Sequence, residues 1–216
     1  SEGCFATWEP TLAALIATVT GSARPVDKGK IREGDLAVIT GVRPDGKGAL
    51  VRLVEGGRET LPSSEAVEMM DMDSELPTIG LDPVWDISAQ VPVVRSKLHG
   101  HRGIAAYNPR RVEFVPLDAP YYHYPVSCAT EAQARGIKGA FARSKALRAP
   151  EDPRQVVFTI LPGHGVVLAE KWVEGMAPLP VIWEYMDAGY LQVSSSIPQG
   201  PMQYVIGPDG LMHLRC

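Results

Sequence analysis

The chain has 216 residues, which is enough to bury a substantial core in one large domain or two small ones. Hydrophobic residues make up 45% and charged residues 21% of it, a composition typical of a globular protein and too apolar for a disordered one. No run approaches the roughly 18 consecutive apolar residues of a membrane-spanning helix, so we expect no membrane partner. The cysteine count of 3 is odd, which excludes a full set of internal disulfides and favours reduced thiols.

Residues 9–21 are predicted to form a short amphipathic helix. Pro10 suits its first turn and Gly21 its end. The apolar residues follow the helical spacing i, i+3, i+4, i+7: Leu12, Leu15, Ile16 and Val19.

Residues 30–58 contain two strand-like runs, 36–39 and 49–54, with the turn residues Pro44-Asp45-Gly46 between them. This segment resembles the small SH3-like barrels, including the KOW type, in which a Gly-Asp strand leads through a Gly-rich turn into a second strand. The matching residues are Gly34, Asp35, Leu36, Val38, Gly41, Gly48, Leu50 and Val51. The resemblance implies a barrel over residues 28–118, with later strands at 84–87 and 111–117, and a surface that binds RNA, peptides or other subunits.

The second half of the chain predicts a connector, a helix and then strands. Residues 119–127 are aromatic and bounded by prolines, and residues 128–149 are predicted to be a basic helix ended by Pro150. Strand-like runs follow at 155–161, 165–173, 180–185, 190–195, 202–206 and 211–215. The turn residues Gly207-Pro208-Asp209-Gly210 predict a hairpin between the last two runs.

The predicted fold is therefore mainly β with minor α: an SH3-like small barrel, a short helix and a C-terminal antiparallel β region. Four segments follow from this assignment: a helical segment at 1–27, the barrel with an acidic insertion at 28–118, the connector and basic helix at 119–153, and a β-rich domain at 154–216.

Charge is segregated along the chain. Residues 59–86 contain eight acidic residues and no Lys or Arg, whereas residues 95–148 contain ten basic residues and three acidic ones. Such blocks pair internally, steer a partner or dock one copy onto another. The candidate interaction residues are Glu65, Glu68, Asp71, Asp73 and Glu75 in the acidic block and Arg135, Lys138, Arg143, Lys145 and Arg148 in the basic block.

Two constellations are candidates for chemistry. His99 and His101, with His123 further on, form the best metal candidate, because residues at i and i+2 of a strand point the same way. Structural zinc sites usually contain cysteines, and the chain has no C-x-x-C motif, so the sequence predicts neither a metal nor another cofactor and leaves this trio as the alternative. Cys128 beside His123 is the corresponding alternative for a thiol nucleophile with a general base.

Phosphate-binding motifs are missing from the sequence. Neither a Walker A pattern nor a G-x-G-x-x-G motif occurs, and Pro162-Gly163-His164-Gly165 is too short to cradle a phosphate. ATP and dinucleotides are therefore not expected as ligands.

We expect from the sequence a non-enzymatic structural or adaptor subunit of a larger assembly, such as a head, neck, tail or decoration protein of a bacteriophage virion. Its partners would be other subunits or copies of itself. Two alternatives stay open: a nucleic-acid-binding module that uses residues 95–148, and a cysteine hydrolase that uses Cys128 and His123. A chain that starts at Ser1, as after removal of an initiator Met, predicts synthesis in the cytoplasm.

Overall fold

The computed structural model describes residues 3–9, 14–19, 35–42, 49–52, 85–86, 91–92, 94–118, 130–171, 180–196, 199 and 202–215. The strands within these ranges, numbered in chain order, are β1 Gly3–Glu9, β2 Ala14–Thr18, β3 Leu36–Val42, β4 Ala49–Arg52, β5 Trp85–Asp86, β6 Val91–Pro92, β7 Val94–Gly100, β8 Ile104–Tyr107, β9 Val112–Phe114, β10 Val156–Leu161, β11 Gly165–Lys171, β12 Leu191–Val193, β13 Gln203–Ile206 and β14 Met212–Arg215. The helices are α1 Glu131–Ala142, α2 Lys145–Arg148 and α3 Pro180–Asp187.

Eight strands form one sheet, the main sheet, in the order β4-β3-β2-β1-β7-β11-β10-β9. Its strand pairs are antiparallel, except that β9 runs parallel to β10. A second sheet has the order β12-β8-β14-β13, and β5 pairs with β6. The protein is thus mainly β with minor α, as the sequence predicted.

The two faces of the main sheet contact different layers, because successive side chains of a strand point to opposite sides. Val157, Val167 and Ala169 share one hydrophobic cluster with Ile137 and Phe141 of α1. The alternate residues of β10 and β11 share another cluster with the second sheet and with α3, and they are Val156, Phe158, Ile160, Val166 and Leu168. Strands β10 and β11 of the main sheet are therefore buried between a helical layer and a layer of sheet and helix.

The predicted N-terminal helix is wrong. Most of the described part of residues 9–21 is strand β2, Ala14–Thr18, which pairs with β1 and β3. Leu15, Ala17 and Val19 are all buried at a spacing of two residues, as in a strand. The apolar residues of this segment fit the spacing of a helix as well as the alternation of a strand. Pairing with the two neighbouring strands made the segment a strand.

The strand predicted at residues 180–185 is also wrong, since these residues begin helix α3. Pro180 is its first residue, where a missing N–H has no cost. Val181, Ile182 and Tyr185 are buried, and their spacing of i, i+1 and i+4 places them on one helix face.

Other predicted elements are confirmed. Strands β10 and β11 lie at the runs 155–161 and 165–173, and β13 and β14 form the predicted hairpin around Gly207–Gly210. The helix predicted at 128–149 is present as α1 and α2, which are separated at Arg143 and Ser144.

The SH3-like barrel is not confirmed. Strands β3 and β4 form the antiparallel pair that the resemblance implied, but they lie at an edge of the main sheet. From the same predicted segment, β7 lies between β1 and β11, and β8 belongs to the second sheet. The described strands form open sheets, and the four segment boundaries remain predictions.

None of the helices in the described ranges is long and apolar enough to cross a membrane.

A buried carboxylate attaches α2 to the main sheet. Glu113 of β9 accepts hydrogen bonds from the Ser144 hydroxyl at 2.6 Å and from the backbone N–H groups of Lys145 at 3.1 Å and Ala146 at 2.9 Å. The Arg154 guanidinium lies 3.6 Å from the same carboxylate. These donors satisfy both carboxylate oxygens and the first N–H groups of the helix.

Replacing this carboxylate by an amide should therefore destabilise the protein. We expect Glu113→Gln to lower the free energy of unfolding by about 1.5–3 kcal/mol, because an NH₂ group would face donors. Urea denaturation measures the change. Asp118→Asn is the matched control: Asp118 pairs with Arg143 at the exposed surface, where such pairs contribute about 0–1 kcal/mol. Equal losses in the two variants would contradict the assignment of Glu113.

Candidate metal centre

Strand pairing brings three histidines to one end of the main sheet. His99 is the penultimate residue of β7, and His101 follows directly after that strand. The neighbouring strand β11 begins at Gly165, immediately after His164, and Val166 of β11 is paired with Gly100 of β7. The turn between β10 and β11 is therefore held beside the end of β7.

The turn itself positions His164. Pro162 and Gly163 are its central residues, and the N–H of His164 donates to the Leu161 carbonyl at 2.9 Å. Gly163 has φ of 73°, a value that favours glycine. Proline followed by a glycine with positive φ is the pattern of a type II turn, so the local sequence specifies how His164 leaves the strand.

The three imidazole rings, here called the histidine cluster, face one another at nearly equal distances. The ring centroids are 4.9 Å apart for His99 and His101, 4.6 Å for His99 and His164, and 4.8 Å for His101 and His164. One potential ligand atom from each ring lies within 4.8 Å of the other two. Among the described residues, the cluster consists of these side chains alone.

These separations fit one metal ion. A tetrahedral zinc with Zn–N distances of 2.0–2.1 Å requires its ligand nitrogens to be about 3.3–3.5 Å apart. The Nε2 atoms of His101 and His164 are already 3.2 Å apart. The remaining separations are at most 4.8 Å, so the rings must rotate to shorten them to the tetrahedral values.

Hydrogen bonding prepares His99 as a ligand. Its Nδ1 lies 3.0 Å from the Val166 carbonyl oxygen, which can only accept, so Nδ1 carries the proton. The lone pair of the neutral ring is then on Nε2. A backbone carbonyl that fixes the tautomer in this way is a common second partner of metal-binding histidines.

A second element, helix α1, contacts His164. The side-chain Nε2 of Gln133 lies 2.8 Å from His164 Nδ1. Gln133 belongs to the first turn of α1, where its backbone N–H donates to Thr130 Oγ1 at 3.3 Å. Because Thr130 is the N-cap of the helix, the start of α1 is fixed next to the histidine cluster.

The composition and exposure of the histidine cluster fit an open metal site. Neutral imidazoles suit zinc, copper, iron and nickel, and three histidines with one open position are a known catalytic zinc arrangement. His99 is 2% exposed, whereas His101 and His164 are partly exposed. A bound ion would thus be anchored from inside the protein and accessible from outside.

The sequence-predicted candidates have different outcomes. The structure brings His99 and His101 together, as their i, i+2 spacing indicated, while His123 and Cys128 lie outside the described residues. The acidic candidates Glu65, Glu68, Asp71, Asp73 and Glu75 also lie outside them. Of the basic candidates, Lys138 is buried, and the exposed ones are Arg135, Arg143, Lys145 and Arg148.

Sequence reasoning missed His164 and Gln133. The signal for His164 was the pair of strand-like runs on either side of Pro162-Gly163, since a hairpin there places the histidine at a sheet end. Its nearness to His101, 63 residues earlier, depends on the pairing of β7 with β11, which no local pattern reveals. For Gln133 the sequence offered only its place in a predicted helix.

Comparisons with known proteins do not identify a family. No family model matches the chain, and no curated protein does. A solved structure of an L-fuculose 1-phosphate aldolase aligns with a TM-score of 0.40 and 15% identity, over 79% of this chain and 66% of that one. A TM-score in this range does not establish a shared fold.

Beside the histidine cluster, the backbone of Gly100 and His101 lies so close to Gly165 that a side chain has no room there. A Cβ there would overlap the Gly100 carbonyl oxygen and lie 2.8 Å from the Cα of His101. Gly165→Ala should therefore displace His101 from His164 and weaken zinc binding by at least tenfold, measured by calorimetric titration. Gly189→Ala is the control, since Gly189 also has positive φ but has open space around it. Unchanged zinc affinity in Gly165→Ala would contradict this geometry.

Proposed function

We propose that this protein is a metalloenzyme whose centre is one divalent transition-metal ion, best matched by zinc, held by His99, His101 and His164. The observation that supports this proposal is the convergence of three imidazoles from two separate parts of the chain. Two of them already have their Nε2 atoms 3.2 Å apart, and the third has its proton fixed on the opposite nitrogen. A structural role for three packed histidines would not require this convergence of ring nitrogens.

The proposed chemistry follows from the charge of the site. Three neutral ligands leave the full 2+ charge of the ion in place, so the open position favours an anionic or strongly polarised oxygen. The ion would act as a Lewis acid toward that oxygen. His99 anchors the ion from the buried side, and His101 and His164 border the side from which a ligand enters. We propose a small molecule with a carbonyl, carboxylate or similar oxygen as the substrate class.

Zinc titration of the purified, metal-stripped chain tests the proposal directly. We expect one tightly bound zinc per chain, measured by calorimetry and by metal analysis after dialysis. His99→Ala, His101→Ala and His164→Ala should each weaken binding at least 100-fold, because two histidines and water form a poor zinc site.

His213→Ala is the matched control for these variants. His213 lies on β14 and interacts with Asp209, 2.9 Å away, outside the histidine cluster. Its loss should leave zinc binding unchanged. If His213→Ala weakened binding as much as the other substitutions, or if the wild-type chain bound no zinc, cobalt or nickel, the proposed centre would be refuted.

A cobalt-substituted protein tests whether the site is open. Catalytic sites keep an exchangeable ligand, whereas structural sites are closed by four protein ligands. We expect the visible spectrum of the Co²⁺ protein to change on addition of azide or acetate, with saturation. A spectrum that is insensitive to both anions would indicate a closed, structural site and contradict an enzymatic role.

The earlier functional predictions remain untested. The cysteine hydrolase depended on Cys128 and His123, which lie outside the described ranges, as do the acidic interaction residues. The basic residues of the nucleic-acid-binding alternative lie within those ranges, but nothing in the structure tests that function. Within those ranges, one of the exposed cations is engaged locally: Arg143 pairs with Asp118 and donates to the carbonyls of Gly139 and Pro116.

A further inference from the structure

We propose that Gln133 is a positioning residue that holds His164 in one tautomer without metal and in the other with metal, by rotation of its side-chain amide. This inference rests on the proposed metal centre and adds a residue outside the three ligands. It is drawn from the short contact between Gln133 and His164, together with the contact between His164 and His101.

The observed contacts define the arrangement without metal. The Gln133 amide NH₂ donates to His164 Nδ1 at 2.8 Å, so this nitrogen is the acceptor. The proton of the neutral His164 ring is then on Nε2, which donates to His101 Nε2 at 3.2 Å. Hydrogen bonds thus run in one direction, from Gln133 through His164 to His101, and they engage the Nε2 atoms of His164 and His101.

Metal binding requires the opposite arrangement at His164. Its Nε2 can bind an ion only through a lone pair, so the proton on Nε2 must be released to water. At the same time Nδ1 takes up a proton from water. The protonated Nδ1 then needs an acceptor in place of the NH₂ group. Rotation of the Gln133 amide by half a turn presents Oε1 at the same position, and the ring gains and loses no net proton.

The surroundings of Gln133 suit this role. The side chain is 3% exposed, so water does not readily replace it as the partner of His164. Its backbone is fixed by the N-cap bond to Thr130, which keeps the amide within reach in both states. Amide oxygen and NH₂ have nearly the same size, so the rotated amide occupies the same volume. The amide of a glutamine side chain offers both a hydrogen-bond donor and an acceptor, so one residue can serve both tautomers.

Two variants separate this role from simple packing. Gln133→Glu provides only acceptors, which favours the metal-binding tautomer, and it should bind zinc as tightly as the wild type or up to about 10-fold more tightly. Gln133→Leu provides no partner and should bind zinc about 10–100-fold more weakly, as is typical when the partner of a metal-bound histidine is lost. Calorimetric titration measures both, and circular dichroism checks that each variant is folded. Equal zinc affinities in the wild type and a folded Gln133→Leu would overturn the inference.

Nitrogen NMR of the imidazole rings provides a readout that a packing role would not change. In the wild-type protein without metal, we expect His164 as the Nε2–H tautomer, and with zinc as the Nδ1–H tautomer. In Gln133→Glu without metal, the proton should already be on Nδ1. An Nδ1–H tautomer of His164 in the metal-free wild type would overturn the inference, even if a variant failed to fold.

The two proposals fail in different ways. A wild-type chain that binds no zinc refutes the metal centre, whatever the tautomer of His164. A wild-type chain that binds zinc with three histidines, while His164 shows the same tautomer with and without metal, refutes only the role of Gln133.

Discussion

The histidine cluster depends on the register between β7 and β11. This pairing aligns Gly100 with Val166 and His99 with Val167, so the end of one strand lies beside the start of the other. Side chains alternate along a strand, and a slip by one residue would turn His99 to the opposite face of the main sheet. The buried faces on both sides oppose such a slip, because it would exchange the apolar residues of two different cores.

In this register the backbones of neighbouring strands are in close contact, which keeps the proposed metal site small. Gly165 brings the first residue of β11 against the Gly100 carbonyl, and Gly3 of β1 lies against the His99 carbonyl from the other side. A Cβ at either glycine would overlap the backbone of β7. The strand that holds His99 is thus confined from both neighbours, which restricts the movement of two of the three proposed ligands.

The helical layer supplies the remaining control. Helix α1 packs on β10 and β11 through Ile137 and Phe141, and α2 is attached to β9 through the carboxylate of Glu113. These contacts determine where the first turn of α1 lies and hence where Gln133 meets His164. The proposed metal chemistry is therefore connected to the hydrophobic core, and a destabilised helical layer would alter metal affinity without any change in the ligands.

The sequence alone was enough to predict the mainly β class, the strands β10 and β11, the C-terminal hairpin and the basic helix. Each of these has a local cause, such as β-branched runs, Pro-Gly turns or helix-forming residues between prolines. It also singled out His99 and His101, since their spacing alone places both on one side of a strand.

Strand β2, helix α3 and the position of His164 depend on contacts between distant parts of the chain. Residues 14–18 satisfied both helical and strand periodicity, and only pairing with β1 and β3 made them a strand. Helix α3 forms because its buried residues, Val181, Ile182 and Tyr185, pack in the same hydrophobic cluster as residues of the second sheet. His164 joined the metal candidates in the same way, since hydrogen bonding between strands far apart in the chain brings it to His101. Such long-range pairing depends on the whole core, which no short segment of sequence specifies.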